Sequence, residues 1–339
     1  MTEKSYGGNT GINSGKAVIK PKLDVSSFNK DKKIIKKEKT QSGNKDKEKA
    51  LEVGKIASQV KAYAKTIIKK NIPLLEIAEK IENKIIELGG KPAFPVNLSI
   101  NDIAAHYTPS YNDFNLANGL LKIDLGVHID GIIADTAFSI DLENNQENKK
   151  LIEAAEKALE AGIKKAKLNI LVSEIGKEIQ KTIESFNFTP IINLSGHGID
   201  SYDLHSGINI PNIGDNQKNE LSEGLFAIEP FATLSSGTGK VYDGRPSEIY
   251  SLLNPGKGVR NQTAREILEF IAEEYQTLPF CSRWLVKKFG TRALIGLREL
   301  EQANVLHRFP ELIESSHSKV SQAEHTILVE KNKIIVTTE

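Results

Sequence analysis

The sequence predicts an α+β domain, and three observations lead to that prediction. Apolar residues recur at helical spacing in several segments, extended apolar runs lie between those segments, and clusters of Gly, Asn and Pro separate them. Hydrophobic residues make up 39% and charged residues 26% of the 339 residues, which is ordinary for a globular protein with a sizeable core. Helices that alternate with mostly antiparallel strands are typical of the α+β class.

The first 50 residues differ from the rest of the chain in charge. They contain 13 Lys against 6 Asp and Glu, an excess of +7, so the remainder carries −6 of the overall +1. Gly, Asn and Ser are frequent and no periodicity is sustained, so we predict a disordered basic tail over residues 1–48. Such a tail can bind nucleic acid, for example ribosomal RNA, or it can solvate the chain end without a partner.

Two helices are predicted to follow the tail. The first carries apolar positions at helical spacing, namely Val53, Ala57, Val60, Ala64 and Ile67. The second begins at Pro73, a residue favoured in a first helical turn, and stops at Gly89. Its apolar face consists of Leu74, Ile77, Ile81, Ile85 and Leu88.

Strands and helices then alternate to the end of the chain. Extended segments reach about Ile140, helical patterns cover 147–168 and 173–187, and strand-like runs return at 190–194, 225–233 and 325–337. Residues 240–310 differ in character, because 262–276, 282–289 and 292–304 all read as short helices. We therefore predict a domain over 49–339 that a helical insertion interrupts at about 240–310.

A hairpin with two aspartates is predicted within the extended segment. Asp130-Gly131 favours a two-residue turn with positive φ, and with that turn Asp124 stands opposite Ala137 while Asp135 becomes its diagonal neighbour on the same face. Two carboxylates so close raise each other's pKa unless a cation lies between them. A divalent metal ion explains the pair, and so does an exposed hairpin whose polar face happens to carry acids.

The cysteine count and the lack of long apolar runs indicate the cellular compartment that we expect. The chain has one cysteine, Cys281, so no intrachain disulfide can form and a reducing cytoplasm fits best. No run of 18 apolar residues occurs and the N-terminus lacks the apolar stretch of a secretion signal, so we expect no membrane attachment.

Six segments in order carry a resemblance to one family. They are PAFPVNLSINDIAAHYTP at 92–109, KIDLGVHIDGIIADTA at 122–137, NLSGHGIDSYDLHSGINIPN at 193–212, GLFAIEPFAT at 224–233, LPFCSRWL at 278–285 and QAEHTILVE at 322–330. From about Lys49 to Glu339 the chain resembles the type II methionine aminopeptidases of archaea and eukaryotes. The resemblance implies the pita-bread (creatinase/aminopeptidase) fold, two pseudo-symmetric αβ halves around a curved sheet, and makes the helical insertion winged-helix-like.

The resemblance also implies two divalent metal ions and their ligands, which are Asp124, Asp135, His197, Glu229 and Glu324. Asp135 and Glu324 would bridge the ions and Asp124 would complete one site. His197 and Glu229 would complete the other. This mixed oxygen and nitrogen set does not select among Co, Mn, Fe and Zn. Two such ions lower the pKa of a bridging water, so that hydroxide can attack the carbonyl after the first residue of a peptide.

Catalytic and substrate-binding roles follow from the same resemblance. His106 matches a histidine near the attacked carbonyl and the leaving amide, and His205 matches one that contacts the substrate backbone. Glu229 is our choice for the proton carrier, and the metal ions with either histidine would stabilise the oxyanion. For the methionine pocket we expect three wall residues, Phe94, Leu204 and Phe309.

Two departures from the family affect the pocket rather than the metal ligands. Phe309 stands where relatives commonly carry Tyr, and Ala323 stands where they usually carry Phe. Phe94 and Phe309 can also be read as plain core aromatics. We read the remaining histidines, which are His128, His307, His317 and His325, as structural, and we expect His325 to face away from the metal ions because neighbouring strand residues point to opposite faces.

The function that the resemblance implies is removal of the N-terminal methionine from nascent polypeptides, with a small second residue preferred. We expect a cytoplasmic monomer whose partners are nascent N-termini and, through the Lys-rich tail, ribosomal RNA. Two alternatives remain open from the sequence. One is an X-Pro peptidase on the same scaffold, and the other is a non-enzymatic homologue that binds ribosomes or RNA.

Overall fold

The computed structural model describes residues 43–339, with side chains from Asp46 onward. The predicted tail over 1–42 lies outside the described residues. Helix α1 spans Gly43–Ile67, so residues 43–48, which we assigned to the tail, are helical. An acidic residue in the first turn, Asp46, is favourable at a helix N-terminus, and this local signal precedes the apolar periodicity on which the prediction relied.

The first αβ layer consists of two helices on a three-stranded sheet. Helices α1 and α2 (Leu74–Glu87) bury their apolar faces against the sheet and form one core with it. The strand order is β1-β3-β4, all antiparallel. The strands span β1 Lys91–Ile100, β3 Leu120–Ile129 and β4 Ile132–Asp141, and the short β2, Ile103–Ala105, follows β1.

The second layer repeats this plan with a larger sheet. Helices α3 (Gln146–Lys165) and α4 (Val172–Ser185) pack on a five-stranded sheet of order β15-β14-β8-β6-β7. Its strands are β6 Ser195–Asp200, β7 Asp203–Pro211, β8 Gly224–Ile228, β14 His325–Glu330 and β15 Lys333–Val336. A small sheet of β5 Thr189–Pro190, β9 Phe231–Thr233 and β13 Val320–Gln322 lies beside it in the order β13-β9-β5.

The predicted helical insertion is shorter in the structure. Strands β10 (Val241–Leu252) and β12 (Leu306–Glu314) pair with each other, and β12 also pairs with β2. The helices are confined to α5 Gln262–Glu274, α6 Ser282–Phe289 and α7 Arg292–Gln302, with the two-residue β11, Phe280–Cys281, before α6. Register shifts interrupt the β10–β12 ladder, and strands so irregular show little period-2 alternation in the sequence.

The hairpin of β6 and β7 is the main strand pair that the sequence reading missed. Its glycines hide the strand signal, because glycine lacks a side chain to pack on the pleat. A Cβ at Gly196 would lie 2.3 Å from the carbonyl oxygen of Ala227, and a Cβ at Gly198 would lie 2.2 Å from that of Ser206. These glycines therefore let three strands approach closely on either side of His197.

No helix within residues 43–339 is both long and apolar enough to cross a membrane.

Candidate metal centre

All the residues to which the sequence assigned a site role line one cavity of about 230 Å³. They come from both αβ layers and from the β10–β12 segment, so the cavity lies where the three meet. The ten residues are Phe94, His106, Asp124, Asp135, His197, Leu204, His205, Glu229, Phe309 and Glu324.

The two aspartates lie on a hairpin of the predicted register. Asp124 pairs with Ala137 and Asp135 pairs with Gly126, which makes the aspartates diagonal neighbours on one face. The turn residues Asp130 and Gly131 have φ of 49° and 85°, as a two-residue turn with two positive φ angles requires. The prediction for this hairpin is confirmed, and its carboxylates face the cavity rather than solvent.

Two threonine hydroxyls align Asp135, on β4, with Glu324, which directly precedes β14. Thr326 Oγ1 accepts from Asp135 N and donates to Asp135 O, both at 2.8 Å. Thr136 Oγ1 donates to Glu324 O at 2.8 Å, and Glu324 N donates to Ala137 O at 3.0 Å. These bonds connect the two strands at the point where both carboxylates enter the cavity.

His197 and Glu229 approach from the second layer. His197 Nε2 lies 3.5 Å from Glu229 Oε1 and 3.8 Å from Asp135 Oδ2. The ring's other nitrogen, Nδ1, donates to Gly198 O at 3.3 Å, which leaves Nε2 unprotonated in the neutral ring and free to bind a cation. Glu229 follows the last residue of β8 and precedes Pro230, which interrupts the ladder before β9.

Three of the five proposed ligands form a tight group. Ligand atoms of Asp135, His197 and Glu324 lie within 4.8 Å of one another. Glu229 joins this group through its contact with His197, and Asp124 joins as the diagonal neighbour of Asp135 on the hairpin.

The electrostatics of the group favour a bound cation. Burial raises the pKa of Asp124 to about 7. Burial and then the neighbouring carboxylates raise the pKa of Asp135, Glu229 and Glu324 well above the usual range. Burial, with a smaller contribution from the nearby His205, lowers the pKa of His197 to about 3.

Within residues 46–339, no Lys or Arg forms an ion pair with any of these four carboxylates. Three of their buried oxygens have no hydrogen-bond partner there, namely Asp124 Oδ1, Asp135 Oδ1 and Glu324 Oε2. Buried charges are normally paired or coordinate a metal, so these unpartnered oxygens fit a cation. Carboxylate oxygens with one imidazole nitrogen suit a divalent ion of the first transition row.

His106 has a strained backbone and a defined ring orientation. Its φ is 67°, a conformation that few residues other than glycine adopt, and such strain is concentrated at functional sites. Its Nδ1 donates to Pro310 O at 3.1 Å. Burial lowers its pKa to about 4, so the ring is neutral near pH 7 and its Nε2 is a hydrogen-bond acceptor.

The apolar walls come from separate elements. Phe94 pairs with Gly126, and a Cβ on that glycine would lie 2.3 Å from the Phe94 ring, so the glycine makes room for the ring. Phe309 packs edge-on against His106, with ring centroids 5.6 Å apart. The ring of His205 lies 4.3 Å from that of His197, and desolvation lowers the pKa of His205 although its side chain reaches solvent.

His325 lies outside the cavity, as predicted from strand alternation. Its Nδ1 contacts Thr338 Oγ1 at 2.8 Å, and its ring lines a separate pocket with Lys61 and Lys65. The adjacent Glu324 points into the cavity. Two consecutive residues of one segment therefore face opposite sides.

Sequence reasoning gave no role to several polar residues around the cavity. Gln322 is buried, and its Nε2 donates to Glu229 Oε2 at 3.4 Å. Lys122 is 1% exposed and donates to Asn101 O at 2.8 Å and to Val320 O at 2.9 Å. The position of Gln322 two residues before Glu324 is the one signal that could have identified it, since strand residues two apart share a face.

A buried ion pair lies behind the His106 loop. Arg283 NH1 donates to Glu82 Oε2 at 2.6 Å, and NH2 donates to Glu82 Oε1 at 2.9 Å. The same guanidinium donates to Pro109 O at 3.1 Å and to Thr108 Oγ1 at 3.3 Å. Arg283 thereby connects α6 and α2 to the segment that follows His106.

The chain is similar in sequence to known metallopeptidases. A model of metallopeptidase family M24 matches residues 48–269. The methionine aminopeptidase of Pyrococcus abyssi is 49% identical over 301 residues, which cover 87% of this chain and 100% of that protein.

Solved structures show the same fold at low sequence identity. A thermophilic Arx1 superposes with a TM-score of 0.72 at 18% identity, covering 85% of this chain and 89% of its own. The methionine aminopeptidase of Rickettsia prowazekii gives a TM-score of 0.62 at 22% identity and covers 87% and 98%. The chain therefore has the pita-bread fold that the sequence reading expected.

Proposed function

Because the chain belongs to metallopeptidase family M24, and within it to the type II methionine aminopeptidases, we propose that it removes the N-terminal methionine from nascent polypeptides. The observation that carries the proposal is the convergence of all five expected ligands on one cavity, where several buried carboxylate oxygens have no hydrogen-bond partner in the part of the chain that the structure describes. We further propose a cytoplasmic monomer, and the lone cysteine supports the reducing compartment.

Charge supports two metal ions rather than one. The four carboxylates carry at most four negative charges, which two divalent ions balance. In this assignment, which follows the family resemblance, Asp135 and Glu324 would be held in common by the two ions, and hydroxyl bonds keep the backbones of these two residues together. Asp124 would serve one ion, while His197 and Glu229 would serve the other. When bound, such ions supply a water of lowered pKa and polarise the substrate carbonyl.

Glu229 is the proposed proton carrier. Its Oε2 accepts from Gln322 and its Oε1 faces His197, so it lies on the cavity wall that carries the ligands. Its place among the ligands would put it within reach of a water held by the proposed ions, and a carboxylate can exchange a proton with such a water. It would accept the proton of the attacking water and return it to the leaving amine.

His106 and His205 have different proposed roles in binding the scissile amide. Because Nδ1 of His106 already donates to Pro310 O, its neutral ring presents an acceptor and cannot donate to an oxyanion. His106 therefore accepts from the N–H of the scissile amide. Within residues 46–339 no such bond fixes the tautomer of His205, so His205 is the proposed donor to the oxyanion.

Peptide hydrolysis by apo and metal-loaded protein tests the proposed function. We expect methionine to be released from Met-Ala-Ser only when metal is present, and not from Met-Leu-Ser at a comparable rate, since we propose a small second residue. Cleavage of Ala-Pro peptides in place of Met-Ala-Ser would make the chain an X-Pro peptidase. No hydrolysis of either substrate with any of Co, Mn, Fe or Zn would favour the non-enzymatic alternative.

A second proposal concerns the Lys-rich tail, which we propose contacts ribosomal RNA. The charge excess of +7 in residues 1–50 supports it. Since α1 begins at Gly43, the truncation to test removes residues 1–42 and leaves the helix intact. Ribosome co-sedimentation at increasing salt should be weaker without the tail. An affinity and salt dependence equal to those of the full chain would contradict the proposal.

A further inference from the structure

Asn97 is a cavity residue to which neither the sequence nor the family assigned a role. It lies on β1 and its Cα pairs with that of Asp124 on β3. Directly paired residues point to the same face of a sheet, so the Asn97 side chain enters the cavity beside Asp124. A break in the regular register between Phe94 and Asn97 aims both residues at the cavity.

Only one of the two polar atoms of the Asn97 side-chain amide has a hydrogen-bond partner within residues 46–339. Its Nδ2 donates to Pro95 O at 2.8 Å, which fixes the plane of the amide. Asn97 is 5% exposed, and its Oδ1 is buried without a hydrogen-bond partner among the residues that the structure describes. An acceptor buried without a donor destabilises a fold, so its retention calls for a donor that a bound molecule brings.

Among the described residues, the other cavity oxygens without a partner belong to proposed metal ligands, namely Asp124, Asp135 and Glu324. Asn97 differs from them because its oxygen is uncharged. A neutral amide oxygen is a poor substitute for a carboxylate as a metal ligand but a good acceptor for an N–H group. Its place beside the ligands therefore points to the substrate rather than to the metal.

A peptide substrate offers few donors at this depth. The thioether of a first methionine and its carbonyl have no N–H or O–H, so the α-amino group is the donor that the first residue brings. The next donor, the scissile amide N–H, is taken by His106 in the mechanism above. An amino group that lies against the ligands near Asp124 retains hydrogens that it can donate.

We propose that Asn97 Oδ1 accepts a hydrogen bond from the α-amino group of the substrate, which makes Asn97 a specificity-determining residue for a free N-terminus. The proposal rests on the proposed function, because it concerns the same cavity. It predicts that removal of the acceptor weakens ligands that have the amino group and spares ligands that lack it.

Two ligands that differ only in that group test the proposal, namely L-methionine and 4-(methylthio)butanoate. Their affinities for metal-loaded wild type, Asn97→Ala and Asn97→Leu are compared by calorimetry. The Leu variant keeps a branched side chain of similar size without an acceptor. We expect methionine to bind about tenfold more weakly to both variants and the desamino ligand to bind unchanged, since one hydrogen bond to the amino group is lost.

Steady-state kinetics on Met-Ala-Ser give a second readout. A bond made equally in the bound substrate and in the transition state raises KM and leaves kcat unchanged, whereas a distorted metal centre lowers kcat. Asn193→Ala is the control, because this cavity residue has both amide atoms paired with the backbone of Val241. It should affect both ligands alike.

Two results would overturn the role of Asn97 while leaving the proposed function intact, provided that wild type releases methionine. One is that Asn97→Leu weakens the binding of both ligands equally, and the other is that it does not weaken the binding of methionine. Failure of the wild type to release methionine would instead overturn the proposed function, and this inference with it.

Discussion

Replacement of Arg283 by Met tests whether the buried pair behind the cavity holds the His106 loop. The Arg283 side chain is 3% exposed and that of Glu82 is 8% exposed, and two short hydrogen bonds join them. Met matches the stem of Arg in length, so the substitution removes the guanidinium and leaves little cavity. Glu82 would keep Trp284 Nε1 at 2.9 Å and Val96 N at 3.3 Å as donors but would lose its cation.

The expected loss of unfolding free energy follows from the charge that Glu82 would keep without its cation. Removal of one partner from a buried ion pair costs about 3–5 kcal/mol of unfolding free energy, because the remaining ion stays desolvated. Glu82→Gln combined with Arg283→Met removes the stranded charge while keeping an acceptor for Trp284. The double variant should therefore regain part of the loss. Urea denaturation followed by circular dichroism measures both effects.

A surface ion pair provides the matched control. Lys80 pairs with Glu76 one helical turn away, and both side chains are nearly half exposed. Lys80→Met should produce no resolvable change, since exposed pairs contribute little. A loss below about 1 kcal/mol in Arg283→Met, or a double variant less stable than the single one, would refute the reasoning.

Catalysis should respond as well, because Arg283 also holds Thr108 and Pro109 just after His106. His106 keeps a left-handed backbone at φ 67° only while its surroundings impose it. We expect kcat for Met-Ala-Ser to fall in Arg283→Met at temperatures where the variant is folded. An unchanged kcat would show that the loop is held by other contacts.

Four further outcomes are expected. Asp135→Asn or Glu324→Ala should abolish methionine release by removing a shared ligand, and activity within tenfold of wild type in an assay of free methionine would contradict the assignment. His106→Asn should lose less stability than wild type as pH falls from 6.5 to about 4 in urea titrations. The folded pKa of His106 is depressed to about 4, so over that range the unfolded state takes up a proton that the folded state resists. Metal-free protein should lose stability in thermal melts as pH rises from about 4 to about 7, and the loss should level off above that, because burial raises the folded pKa of Asp124 to about 7 while the unfolded carboxyl already loses its proton near pH 4; protein loaded with Mn²⁺ should lose less. Lys122→Met should cost roughly 1–3 kcal/mol in urea denaturation, since the buried carbonyl oxygen of Val320 loses the ammonium donor, whereas that of Asn101 keeps Val320 N as a donor.

Local signals explain what the sequence could predict. The hairpin of Asp124 and Asp135 was predictable because a two-residue turn at Asp130-Gly131 fixes the register, and the register fixes which side chains share a face. The positions of His197, Glu229 and Glu324 depend on pairing between distant strands, which residue spacing does not encode. For those three the expectation came from motif resemblance alone.

Other strands could not be predicted because their local sequence favours a loop or a break in the strand. Gly196 and Gly198 read as loop residues, yet they lie in β6, where only glycine permits the close approach of neighbouring strands. Strand β10 contains Pro246 and shifts register beside it, so its alternation is too irregular to be recognised. In both cases the tertiary contact determines the conformation.

Three residues near the metal centre break local rules, and among them sequence reasoning assigned a role only to His106. Lys122 is 1% exposed, His106 has a positive φ, and Asn97 keeps a buried oxygen without a partner within residues 46–339. Composition assigns lysine and asparagine to the surface, so nothing in the sequence distinguishes these two from their solvated counterparts. Such violations persist where function compensates for their cost. The two oxygens of Asn97 and Asp124 that have no partner among the described residues are therefore best explained together, by the proposed substrate amine held against the proposed metal centre.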